Sequence, residues 1–283
     1  MKPLLSVSEL ARLIDQGAPV VVDCRKELST PESGRSAYAT AHVPGAVYAD
    51  LDTDLSDLSK PGLGRHPLPE ALAFSRVLSR WGWTPDRPVV AYDDAGGALA
   101  AARLWWMMRL VGAQRASVLD GGWSTWLADG MATSADSTQG PASNVEVRFD
   151  SRQLVDYAAL RSGLDNESIC LLDARGAPRY RGEVEPLDRV AGHVPGALNR
   201  PFSENLGADG RFKPPHELVR EFRELIVGYT PEHVVHMCGS GVTACHNLLA
   251  MEHSGLPGSR LFAPSWSGWI SDPSRPVGAG SLP

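Results

Sequence analysis

The sequence predicts an α/β protein made of two tandem domains, each a mostly parallel sheet with helices on both faces. Three observations lead there. The first is internal repetition. His42-Val43-Pro44-Gly45-Ala46 recurs as His193-Val194-Pro195-Gly196-Ala197, and Val20-Val21-Val22-Asp23-Cys24-Arg25 recurs as Cys170-Leu171-Leu172-Asp173-Ala174-Arg175. Val89-Val90-Ala91-Tyr92-Asp93 matches Val234-Val235-His236-Met237-Cys238, and Gly122-Trp123-Ser124-Thr125-Trp126 matches Ser265-Trp266-Ser267-Gly268-Trp269. In chain order the offsets are 150, 151, 145 and 143 residues, a collinear repeat. The second is a set of short apolar runs, at 20–22, 89–92, 171–172 and 234–237, that read as buried strands. The third is helical spacing between them, in Phe74, Val77, Leu78 and Trp81 and again in Leu218, Phe222, Leu225 and Ile226. Strands alternating with helices imply a parallel sheet covered on both sides.

The remaining elements follow in order. Ser6 and Glu9 form a capping box before Leu10, Leu13 and Ile14, and Gly17 closes that helix. Residues 134–144, small, polar and carrying Gly and Pro, read as the join. The expected domains are 1–138 and 145–283. A chain of 283 residues at about 150 per domain allows two. With 43% apolar and 21% charged residues, it is neither disordered nor a disulfide scaffold. It has no apolar run of about 18 residues, so no membrane partner is expected. A net charge of −6 argues against a nucleic-acid partner. The start has no apolar signal segment, and the four cysteines fit a reducing compartment, so the expected location is cytoplasmic.

In parallel sheets, ligands sit beyond the carboxyl ends of strands. The two matched strand ends differ there. After Met237 comes Cys238-Gly239-Ser240-Gly241-Val242-Thr243-Ala244-Cys245-His246. Glycines let backbone N–H groups turn inward around one point, and a following helix adds its positive end. A thiol at that point is expected to be largely thiolate and nucleophilic. After Tyr92 stand Asp93-Asp94-Ala95-Gly96-Gly97, with no thiol. A carboxylate is no sulfur nucleophile, so catalysis is expected in the second half alone. The first half also has no evident counterpart of Arg179, since Lys26-Glu27-Leu28-Ser29-Thr30 follows Arg25.

These features resemble a tandem rhodanese-type sulfurtransferase across nearly the whole chain. The resemblance rests on Gly192-His193-Val194-Pro195-Gly196-Ala197-Leu198-Asn199, Leu172-Asp173-Ala174-Arg175, Arg103-Leu104-Trp105-Trp106 and Ser265-Trp266-Ser267. The loop Cys-Gly-Ser-Gly-Val-Thr-Ala is similar to that of the mercaptopyruvate branch, whereas the thiosulfate branch shows Cys-Arg-Lys-Gly-Val-Thr. The resemblance implies two rhodanese-like domains, a silent first one, a Cys238 persulfide intermediate and no cofactor. It implies that Arg179 holds the substrate anion, a role that suits a guanidinium fork. The branch carries a second arginine after Glu-Pro. Here Glu185-Pro186 is followed by Leu187, and Arg189 is the nearest arginine. Ser240 matches the loop serine, and His66 the histidine that some relatives link to it. Asp52 is the acid assigned behind His66, with Asp50 and Asp54 as neighbours in the same run. Gly239, Gly241, Val242 and Thr243 complete the substrate loop.

The implied activity is transfer of a sulfane sulfur from 3-mercaptopyruvate or thiosulfate to a thiol, a thioredoxin-like dithiol or cyanide. The alternatives are a thiosulfate-preferring enzyme and a persulfide carrier or binding module with little turnover. A phosphatase of related fold would need Cys-x5-Arg, and position 244 is Ala. His236, Cys238, Cys245 and His246 fit no common zinc spacing, so no metal is expected. Cys245 reads as core, with a resolving thiol as the minor alternative. His42 and His193 occur in both halves, the thiol-less one included, and read as turn structure. Trp105, Trp106, Trp266 and Trp269 read mainly as core and domain interface.

Overall fold

The computed structural model describes residues 1–26, 30, 33–138 and 142–282. Glu27, Leu28 and Ser29, and positions 139–141 of the expected join, lie outside the described residues. The first half opens with β1 (Leu4–Leu5) and α1 (Val7–Asp15). The capping box forms as the sequence predicts. Glu9 N–H donates to Ser6 Oγ at 3.3 Å, and Ser6 N–H donates to Glu9 Oε2 at 2.9 Å. Then come β2 (Val20–Asp23), α2 (Ser33–Thr40), β3 (Val47–Tyr48), α3 (Ala71–Arg80) and β4 (Val89–Tyr92), followed by α4 (Ala101–Leu110), β5 (Ala116–Leu119) and α5 (Gly122–Ala128).

These strands form one sheet in the order β1-β5-β4-β2-β3, every pair parallel. Period-2 alternation divides its side chains. Val21, Val90 and Tyr92 pack with Val7 and Leu10 of α1 and Trp126 of α5. Val22, Val89 and Ala91 point the other way, where α4 packs against β4 and β5. Both faces are covered, and for this reason the strands are apolar throughout.

The second half repeats the plan with α6 (Tyr157–Asp165), β6 (Cys170–Asp173), α7 (Ala177–Tyr180), β7 (Ala197–Asn199) and α8 (Pro215–Leu225). It ends with β8 (Val234–Met237), α9 (Ala244–His253), β9 (Arg260–Leu261) and α10 (Ser265–Trp269). The sheet order is β7-β6-β8-β9, again all parallel. A lone parallel bridge from Leu154 to Leu261 stands where β1 meets β5 in the first half. Leu160, Leu171, Val235, Met237, Trp266 and Trp269 share one core. The repeat extends to polar detail. Arg25 forks onto Asp23 and donates to Ala41 O at 2.6 Å, while Arg175 forks onto Asp173 and donates to Gly192 O at 2.7 Å.

The compact units interleave in sequence. One comprises residues 1–57, 68–150 and 208–212, and the other 58–67, 151–207 and 213–283. Residues 58–67, expected with the first half, thus pack with the unit that contains Cys238. Gly64 is the reason. At φ +92° it lies so close to α10 that a Cβ would meet Pro264 O at 2.5 Å. Tyr157 Oη–H donates to Gly62 O at 2.6 Å and Arg65 N–H to Ser267 Oγ at 3.0 Å, fastening the strap on both sides. Phe212 N–H donates to Asp120 Oδ1 at 2.9 Å, a bond within the first unit, to which 208–212 belong.

Candidate active site

Cys238 leaves the end of β8 with 1% of its surface exposed. Its backbone is pinned by α10. Cys238 N–H donates to Ser265 Oγ at 3.1 Å, and Trp266 N–H donates to Cys238 O at 2.9 Å. Ser265 holds a left-handed φ of +53° to reach that position. Ser267 N–H fixes Gly239 O at 2.9 Å. The chain then turns at Gly241, φ +78°, where a Cβ would lie 2.3 Å from Ala263 O. That turn aims the Gly241 N–H at Cys238 Sγ, 3.1 Å away. α9 starts directly after Thr243, so its positive end lies close to the same loop. The sulfur thus has a backbone N–H aimed at it and a helix N-terminus beside it.

The charged groups come from two segments. Arg179, on α7, is fixed by Glu185, with Nε at 3.1 Å from Oε2 and Nη2 at 2.6 Å from Oε1. Burial pushes the Glu185 carboxyl up. Arg179 and the N–H groups of Leu187 and Asp188 outweigh that and hold it below the ordinary range. Arg65, on the strap, pairs with Asp188. Both guanidiniums face Gly239. A Cβ there would lie 2.8 Å from Arg65 Nη2 and 3.6 Å from Arg179 Nη1. His66, next on the strap, shares a 2.8 Å hydrogen bond between Nδ1 and Ser240 Oγ.

The other candidates fall as follows. Arg189 is exposed and donates to the backbone oxygen of Ile270, so the arginine beside Gly239 together with Arg179 is Arg65 and not Arg189. Leu187, in the place of the missing arginine, is exposed. Asp52 belongs to the first unit and pairs with Lys26. Asp50 Oδ1 accepts the Asp52 N–H at 2.8 Å, and Asp54 pairs with Arg80 at 2.6 Å. Val242 is buried and Thr243 half-buried within the loop. Sequence reasoning missed Arg65, Glu185, Asp188 and Ser265. The one signal for Arg65 was its place beside His66.

The matched strand end of the first unit holds a different anion. Asp93 is fully buried, and its carboxylate accepts N–H bonds from Ala95 (2.9 Å), Gly97 (2.8 Å), Leu99 (3.1 Å) and Ala101 (3.2 Å). Cys24 directly follows β2 and Cys170 opens β6, both buried. Burial, then Asp93 and Asp23, push the Cys24 thiol well up, and burial pushes Cys170 up to about 11. Cys245 is buried on α9 and its thiol faces Gly241 O at 3.5 Å. His42 and His193 stack on Tyr38 and Tyr180 with ring centroids 4.0 Å apart in both cases, consistent with turn structure in both halves. Among the described residues, no cluster of three His, Cys, Asp or Glu side chains suited to a metal occurs. Among the described residues, no helix is long and apolar enough to cross a membrane.

Two repeated α/β units with parallel sheets, one of them carrying a cysteine loop at a strand end, define the class of protein, and the comparisons with known proteins place it in a family. The chain belongs to the rhodanese family, whose rhodanese-like domain model matches residues 6–129 and 156–272. It is 45% identical over 280 residues, 98% of each chain, to a Pseudomonas aeruginosa protein named probable 3-mercaptopyruvate sulfurtransferase. It is 39% identical to a Mycobacterium tuberculosis protein with the provisional name thiosulfate sulfurtransferase SseB, over 98% of this chain and 97% of that one. The crystal structure of SseA from Escherichia coli, described among the 3-mercaptopyruvate sulfotransferases, superposes with a TM-score of 0.82. That match has 30% identity and covers 94% of this chain and 100% of the other.

Proposed function

We propose that Cys238 is the sulfur-carrying nucleophile of this enzyme, a sulfurtransferase of the 3-mercaptopyruvate type. The observation that carries the reading is the Gly241 N–H on Cys238 Sγ, with Arg65 and Arg179 both facing Gly239. Arg179 and Arg65 hold the donor carboxylate. The Cys238 thiolate attacks the donor sulfur, the S–C bond breaks, and its electron pair leaves on carbon as the enolate of pyruvate. Ser240, backed by His66, manages the proton that turns the enolate into pyruvate. Cys238 is left as a persulfide, whose extra negative charge the loop N–H groups stabilise. The outer sulfur then passes to cyanide as thiocyanate, to a small thiol as its persulfide, or to a thioredoxin-like dithiol, which closes to a disulfide as the sulfur leaves as sulfide. No metal or organic cofactor enters the cycle. The cytoplasm suits a chain whose four cysteines are all free.

The loop supports 3-mercaptopyruvate over thiosulfate. Gly239 and Ser240 are neutral where a thiosulfate-type loop carries Arg and Lys. The test is steady-state kcat/KM for both donors on the purified protein. The value for 3-mercaptopyruvate is expected to exceed that for thiosulfate by at least about tenfold, equal to about 1.4 kcal/mol in transition-state binding. Arg179→Ala lowers the mercaptopyruvate value by at least as much. Ser240→Lys moves the ratio towards thiosulfate. A wild-type preference for thiosulfate overturns the donor assignment. A persulfide without turnover on either donor would indicate a carrier.

A further inference from the structure

Two guanidiniums converge on the Cys238 loop, yet they do not bring two net charges. Asp188 lies between them, with its side chain 4% exposed. Its Oδ1 takes Arg65 Nη1, and its Oδ2 takes Arg179 Nη2 at 3.2 Å. Its own N–H donates to Glu185 Oε1 at 3.1 Å, so the carboxylate is fixed from the backbone outward. Each arginine keeps one amino group outside this pairing. Arg65 Nη2 and Arg179 Nη1 make no hydrogen bond among the described residues; a Cβ at Gly239 would lie 2.8 Å from the first and 3.6 Å from the second, with the paired Arg179 Nη2 also at 3.6 Å. Behind them, Arg175 is paired with Asp173 and Glu185. Three guanidiniums thus face three carboxylates, and the cluster is neutral as a whole.

We propose that Asp188 is a specificity-determining residue that sets the charge of the donor site. It orients both arginines for hydrogen bonding while cancelling one of their charges. A monoanion gains two directed N–H groups there. A dianion such as thiosulfate meets the same N–H groups in a cluster that offers it no net positive charge. This inference rests on the reading of Cys238 as the nucleophile and supplies a physical basis for its donor preference.

Asp188→Asn removes the charge at nearly constant volume. One unit charge acting at about 6 Å on the extra charge of a dianion, in a partly exposed site, is worth about tenfold. The ratio of kcat/KM for 3-mercaptopyruvate over thiosulfate is therefore expected to fall about tenfold, chiefly through a lower KM for thiosulfate. Any loss of arginine positioning acts on both donors and cancels in the ratio. The double variant Asp188→Asn with Arg65→Gln restores the charge balance and returns the ratio towards wild type. A second readout needs no turnover. The sulfate concentration that half-protects Cys238 from iodoacetamide falls about tenfold in Asp188→Asn, and that of pyruvate changes less. Equal losses on both donors, with unchanged sulfate protection, would make Asp188 a structural clamp alone and end the proposal. A wild-type protein inactive on both donors overturns the sulfurtransferase reading instead, and the protection assay still decides the charge argument.

Discussion

Gly241 donates its backbone N–H to Cys238 Sγ across 3.1 Å, a backbone donor aimed at the sulfur just past the end of β8. The donor is available because Ala263 O lies so close to Gly241 that the chain turns there at φ +78°, while α10 holds Cys238 O and Gly239 O. At the matched strand end of the first unit, the N–H groups close on the Asp93 carboxylate instead. One anion loop is thus filled permanently by a tethered carboxylate, and the other presents a sulfur.

Cys238→Ser is expected to abolish sulfur transfer, because an alcohol forms no persulfide. Cys24→Ser, Cys170→Ser and Cys245→Ser retain most activity. Intact-mass spectrometry after donor treatment shows one added sulfur in wild type and none in Cys238→Ser. A persulfide mapped to another cysteine defeats the assignment.

Gly241→Ala tests the turn that aims the N–H. The new Cβ collides with Ala263 O at 2.3 Å and the backbone is held at φ +78°. Strain on the order of 1–3 kcal/mol is expected, lowering Tm by several degrees. Activity falls at least about tenfold as the N–H leaves the sulfur. A variant with wild-type kcat would show that this N–H does no catalytic work.

Asp93→Cys leaves persulfide stoichiometry near one per chain. A thiol at that strand end has no Ser240 counterpart, and the loop there is built around a carboxylate. The four N–H groups lose a charged acceptor, and each poorly satisfied buried donor costs about 1–3 kcal/mol, so Tm falls. A stoichiometry near two, read by mass spectrometry, contradicts this.

His236 makes stability depend on pH. It is fully buried on β8, neither ring nitrogen has a hydrogen-bond partner among the described residues, and burial pushes its pKa down to about 3. The unfolded histidine titrates near 6.5. Between those values the unfolded chain binds the proton and the folded chain does not. The contribution is therefore complete above about pH 6.5 and is lost as pH falls towards 3, at up to about 1.4 kcal/mol per pH unit. Urea unfolding at pH 7 and pH 5 is expected to show wild type losing about 2 kcal/mol more than His236→Leu. Equal losses would assign the acid sensitivity elsewhere.

The sequence by itself determined the two-fold repeat, the parallel sheets and the strand end at which Cys238 stands. Those features are local or periodic. Apolar runs such as 89–92 and 234–237 specify buried strands, and a Cys followed by glycines marks an anion loop wherever it folds. Arg179 and the pairing of His66 with Ser240 were legible through family resemblance, with spacing adding nothing. Only the tertiary structure decided that Arg65 and not Arg189 stands beside Gly239, and that Asp188 joins Arg65 to Arg179. The residues are 123 positions apart in one of those pairings and 9 in the other, and no local pattern relates them. What places Arg65 there is the close packing of Gly64 on Pro264 and the hydrogen bond from Arg65 N–H to Ser267, contacts between segments about 200 positions apart in the chain.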